Sequence, residues 1–156
     1  MRLEFDTAAG GFDLALTATG DFDAGIGNGG ALEAAVWVSI FTDALAEPGD
    51  MTPDLGPDRR GWWADAGRAA AESMGSLVWI HLREKRTETA RLAIETAAWT
   101  SVQWFVDDGI ASAVDVTAAF IDAPRDALRL TVVLTEPNGV RRDWSVDLLW
   151  SGVARR

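Results

Sequence analysis

His81, in the stretch "WIHLREK", is the one histidine of the chain. Any scheme that needs an imidazole, as a triad base or as a metal ligand, therefore has to run through it. It has basic neighbours and no motif partner, and reads as a partly exposed helix residue. Cysteine is absent, which removes disulfides, thiolate nucleophiles and thiolate metal sites together. Asp107 and Asp108 supply the paired carboxyls that a glycosidase requires, but adjacent residues at a helix end point in different directions. Their expected job is to end a helix before Gly109, at a mild cost against the helix dipole. Gly25, Gly27 and Gly30 fit G-x-G-x-x-G ahead of a helix. A dinucleotide loop, however, belongs to a parallel β-α-β unit, whereas the strand before these glycines reads as part of a hairpin. Asp21 and Asp23 start like a calcium loop that lacks its third oxygen ligand and closing glutamate. No catalytic residue, metal or cofactor is expected.

The stretch "PDRRGWWADA", Pro57 to Ala66, is left as the most unusual cluster. An arginine guanidinium stacks on an indole or forks onto a carboxylate, and the chain carries 24 acidic residues against 14 basic ones. Arg59 and Arg60 can pin the loop to the body while Trp62 and Trp63 plug a gap; alternatively, all four face a partner. Both uses stay open. Eight tryptophans and no tyrosine point toward protein partners, because tryptophan is enriched at interface centres. A formal charge of -10 argues against a general nucleic-acid binder. No run approaches the roughly 20 apolar residues of a membrane helix, and no secretion signal opens the chain. The expectation is a protein made and used in a cytoplasm, with no membrane and no small-molecule substrate.

Around these residues the pattern predicts one domain over 1–156. Residues 1–30 form a hairpin and a glycine-rich loop, with Leu3 and Phe5 alternating with acids and Phe12, Leu14 and Leu16 repeating the pattern after Gly10-Gly11. The helical part, 31–109, opens with a buried helix from Ala31 to Leu45 carrying Leu32, Ala35, Val36, Ser39 and Ile40 at helical spacing. Residues 47–61, with three prolines, form a long loop without regular structure. Ser76 caps a short helix from Leu77 to Glu84, and Thr87 caps a longer one that runs to Gly109. The long helix buries Ala90, Ile94, Ala97, Ala98, Ser101, Trp104 and Phe105, with Glu88, Arg91, Glu95 and Gln103 opposite. Between those polar residues Leu92, Trp99 and Val106 form a second apolar line, which the proline-rich loop with Trp62 and Trp63 is expected to cover. Residues 110–156 are a meander of three alternating strands, the last two joined by "EPNG", where Asn-Gly favours positive φ. The fold class is α+β: a mainly antiparallel sheet with helices on one face.

"DRRGWWAD", then "GSLVW" at Gly75 to Trp79, then "QWFVDDGIASAVDV" at Gln103 to Val116 resemble, in that order, the baseplate wedge family of Mu-like contractile-tailed phages. That family is related to the T-even wedge subunit that initiates the tail sheath and was once labelled a tail lysozyme. The resemblance runs over nearly the whole chain. Ala64 stands where the family usually has glycine, and Leu77 and Val78 replace a more polar pair. It implies a non-enzymatic structural protein of the virion tail baseplate, assembled in the host cytoplasm and arranged six-fold around the tail tube. Its implied partners are other wedge subunits and tail sheath proteins. Arg59, Arg60, Trp62, Trp63 and Trp99 are the candidate interface or loop-anchoring residues. The alternatives are a cell-wall glycosidase, in keeping with the old label, and a small regulatory adaptor.

Overall fold

The computed structural model describes residues 3–6, 11–14, 30–50, 56–66, 73–121 and 127–149. Two compact units divide the chain, Met1–Val38 and Ser39–Arg156. In the first, β1 (Leu3–Asp6) pairs antiparallel with β2 (Gly11–Leu14), the hairpin that the alternation predicts. Leu16, the acids Asp21 and Asp23, and glycines Gly25 and Gly27 lie outside the described residues. Helix α1 (Gly30–Phe41) crosses the division and buries Val36, Trp37, Ser39 and Ile40. It stops short of the expected Leu45 because the chain beyond it makes a different set of backbone bonds. Ser76 donates to Thr42 O at 2.9 Å and Ala44 donates to Ser76 O at 3.0 Å, which closes a parallel bridge between Asp43 and Ser76.

The second unit holds the sheet, in the order β3 (Ala113–Ile121), β4 (Ala127–Thr135), β5 (Arg141–Leu149), antiparallel throughout. Period-two patterning puts Val114, Val116 and Ala118 of β3 and Leu128, Leu130, Val132 and Leu134 of β4 on the buried face. The other face is polar, with Arg129 forked onto Asp147 at 2.6 and 2.8 Å and Thr131 bonded to Ser145 at 2.8 Å. In the turn that follows β4, Gly139 alone has positive φ, 85°. Asn138 instead accepts the Val140 N–H on its side-chain oxygen, so the turn needs one left-handed residue where the dipeptide suggested two.

Helix α2 is a single turn, Val78–His81, shorter than expected. Leu77 holds its N-cap position, and Ser76 lies one residue earlier, accepting from Val78 N while its hydroxyl donates to Ile40 O. Thr87 does cap α3 (Glu88–Ser101), accepting from Ala90 N at 3.1 Å. The helix expected to reach Gly109 breaks at Val102-Gln103 and resumes as α4 (Trp104–Asp107). Two side chains at the break compete for helix carbonyls, Thr100 bonding Thr96 O at 2.9 Å and Ser101 bonding Ala98 O at 2.8 Å. Val102 and Phe105 are both buried, on the face that Ala90, Ile94 and Ala98 begin. Trp104, expected inside, is 38% exposed and stacks on Phe105 with ring centroids 4.0 Å apart. The loop from Glu47 is not wholly irregular, since Pro48–Asp50 makes one 3-10 turn closed by Glu47 N on the Asp50 carboxylate.

The polar stripe of α3 is also not a plain solvated face. Arg91 and Glu95 form the expected i,i+4 pair at 2.9 Å, and both reach the edge strand β3. Arg91 donates to Ala118 O at 2.6 Å, and Ala118 N donates to Glu95 at 2.8 Å. Two side chains thus satisfy the outward backbone groups of Ala118 as a neighbouring strand would.

Candidate functional site

The segment Ser39–Glu47 is where the distant motifs meet. Arg59 donates from Nε to Ala46 O and lies 3.8 Å from the Glu47 carboxylate, while Ala46 N donates back to Arg59 O at 3.0 Å. Arg60 pairs with Asp43 and stacks over the Trp79 ring, 4.6 Å from its centroid. Trp79 in turn donates from its indole to Ala44 O at 3.1 Å. Arg60 has a positive φ of 54°. The left-handed region costs a non-glycine residue roughly 1–2 kcal/mol, and here an Asp58 carboxylate accepting the Arg60 N–H, the ion pair and the indole stack hold it. From the third motif, Trp104 donates to Ser39 Oγ at 3.1 Å. Aspartate, arginine, indole and backbone carbonyl thus interlock.

Past this knot the chain turns outward. Trp63 begins a 3-10 turn, Trp63–Asp65, and is 83% exposed, beside the half-buried Trp62 with ring centroids 6.0 Å apart. Trp99 is elsewhere, on α3 beside Glu95, Thr96 and Val116. With Trp99 44% and Leu92 47% exposed, the apolar line on α3 is not covered as expected. The geometry thus brings Arg59 and Arg60 to one segment, sets Trp62 beside the exposed Trp63 just past it, and places Trp99 apart. Trp79, the end of the second motif, completes the knot with Asp43 and Ala46, which the sequence reading did not single out.

The residues weighed for catalysis are placed differently. His81 bonds Glu84 through Nδ1 at 2.8 Å, one helical turn along. Asp107 and Asp108 are exposed at the end of α4. Among the described residues no group of three or more His, Asp or Glu could hold a metal ion, and no helix is long and apolar enough to cross a membrane. Three carboxyls are held below the ordinary carboxylate range, each by a hydrogen-bonded arginine: Glu88 by Arg91, Glu136 by Arg142 and Asp147 by Arg129. A glycosidase general acid needs the opposite displacement.

These pairs also set a pH dependence. Their folded values lie below the unfolded 4.5 for glutamate and 3.8 for aspartate, so their stabilisation is complete above those values. It is lost as pH falls through the folded values. Urea midpoints taken from pH 6 down to pH 2 should decline across that acid window; a midpoint that is flat to pH 2 would show that the pairs contribute nothing.

Residues 32–141 match the family model described as Phage protein GP46. That span takes in the knot, all of α2, α3 and α4, and strands β3 and β4. The chain belongs to the phage GP46 family. It is 32% identical over 123 residues to the baseplate protein gp46 of Escherichia phage Mu, covering 79% of this chain and 82% of that protein. It is 31% identical over 120 residues to the Mu-like prophage FluMu protein gp46 of Haemophilus influenzae, covering 74% and 81%. The GP46 family is thus the Mu-like group that the three motifs resemble.

Proposed function

We propose that this GP46 protein is a structural subunit of a contractile phage tail baseplate, a wedge component that helps initiate the sheath and has no enzymatic activity. The observation that carries this reading is the exposed Trp63 standing next to a segment fastened by Arg59 and Arg60. An apolar ring on a pre-ordered base loses little entropy on docking, which is how interface anchors are built. The name of the Mu relative, a baseplate protein, supports the location. Other wedge subunits and sheath proteins are the proposed partners, in a six-fold arrangement, with assembly in the host cytoplasm and the two units acting together as one domain. Strand edges favour one direction of attachment. Arg91 and Glu95 occupy the β3 edge at Ala118, so a neighbour's strand would add along β5, through the outward backbone groups of Asp143 and Ser145.

Trp63→Ala tests the reading. The isolated protein should unfold within about 0.5 kcal/mol of the parent, as exposed substitutions do. Incorporation into tails should fall at least as far as a hot-spot loss of about 2 kcal/mol requires, roughly thirtyfold. Normal incorporation of the variant, or clearing of a peptidoglycan suspension by the purified parent, would reject the proposal.

A further inference from the structure

An open groove of about 1070 Å³ runs along α3, lined by residues other than the Arg59–Trp63 stretch. One wall is a side of α3, with Leu92, Ala93, Thr96, Ala97 and Thr100; the other includes Ala44, Leu45, Met74 and Leu77. Leu45, Leu92 and Trp104 line it while 53%, 47% and 38% exposed, an apolar surface presented in one concave place. The carboxylates of Glu47, Asp50, Asp107 and Asp108 also line it, and no described lysine or arginine does.

We propose that this groove seats an amphipathic helix of a neighbouring baseplate subunit, apolar along the face it buries and flanked by lysine or arginine. The proposal rests on the baseplate reading above and names the partner chemistry that one surface selects. Glu47 is shared with Arg59, but Asp50, Asp107 and Asp108 line the groove with no described lysine or arginine beside them, which favours a basic partner and repels an acidic one. The helical wall decides the partner's form. The backbone of α3 is bonded within itself, so that wall offers no strand edge to extend, whereas an incoming helix brings its own backbone satisfied and needs only side-chain contacts. The lining stretch from Leu92 to Ser101 is about 14 Å long at 1.5 Å per residue. That is between two and three turns, enough for anchors at i, i+4 and i+7. Small residues at Ala93 and Ala97 leave room for those anchors, and Leu45, Leu92 and Trp104 flank them.

The test uses the full chain in tail particles assembled with the neighbouring tail genes. A benzoylphenylalanine photo-crosslinker placed at Thr96 should join, on irradiation, a segment of another tail protein whose apolar residues recur at helical spacing and whose flanks are basic. In parallel, Thr96→Arg with Thr100→Arg should lower incorporation at least tenfold while leaving the thermal unfolding of the purified chain unchanged, since both positions are exposed. A crosslink confined to this chain, to a second copy of it, or to an acidic or extended segment overturns the proposal. So does the lack of any crosslink in particles that contain the protein, or normal incorporation of the double variant. Failure of the parent chain to enter tails at all would instead reject the baseplate reading, so the two failures are distinguishable.

Discussion

Gly75→Ala should be among the most damaging single-methyl changes in this protein. Gly75 has φ of 105°, and a Cβ there would come 2.4 Å from Thr42 O and 3.0 Å from Ala44 N. Those are the two backbone groups that bond Ser76 across the Asp43–Ser76 bridge. The left-handed backbone alone costs an alanine roughly 1–2 kcal/mol. Forcing the segments apart also loses buried hydrogen bonds at about 1–3 kcal/mol each. A total of about 4–6 kcal/mol is a large part of the 5–15 kcal/mol that typically separates folded from unfolded chains. It corresponds to a melting temperature lowered by roughly 10–20 °C in a chain of this size. Gly139→Ala is the control: φ is 85°, but nothing lies within 4 Å of the added carbon. It should cost only the backbone strain, about 1–2 kcal/mol. Equal losses in calorimetry for the two variants would mean that close approach at the knot contributes nothing.

Glu95→Ala should have the next largest effect, and it should change how the protein behaves with concentration. Its carboxylate accepts the Ala118 N–H and the Arg91 guanidinium, with side chains only 29% and 17% exposed. Removing it leaves a backbone donor without its acceptor beside an arginine that has lost one counter-charge. Charge-assisted hydrogen bonds lost in this way cost about 1.5–3 kcal/mol each, so a loss of about 3 kcal/mol in urea unfolding is expected. Arg91→Ala should cost a similar amount, and the double variant less than the sum, because the two residues are paired with each other and both hold Ala118, one at its C=O and the other at its N–H. The freed edge of β3 would then present an unpaired N–H and C=O to other chains. Sedimentation velocity should detect self-association of the variants at concentrations where the parent is monodisperse. Losses below about 0.5 kcal/mol with no association would mark the pair as an ordinary solvated i,i+4 contact.

Much of the local structure was legible in the chain. Leu128, Leu130, Val132 and Leu134 are all fully buried because strict alternation sends every second side chain to one face. Thr87 caps α3 because its oxygen is placed to take the Ala90 N–H, a contact made within one helical turn. The acidic balance, the missing cysteine and the solitary histidine narrowed the chemistry before any coordinates, and the three motifs carried the family. Tertiary structure decided where those motifs meet. Ser76 bonds Ile40 across 36 positions and Trp104 bonds Ser39 across 65, separations at which residue spacing holds no information. The same limit covers the break at Val102: Ile94, Ala98, Val102 and Phe105 would share one face of a continuous helix, so their spacing favours continuation and does not register the break. It also explains Arg91 and Glu95, which the pattern placed on a solvated stripe. A charged side chain on a helix surface cannot register from sequence that an edge strand lies within reach, and only the packing of α3 against β3 supplies the backbone groups it binds.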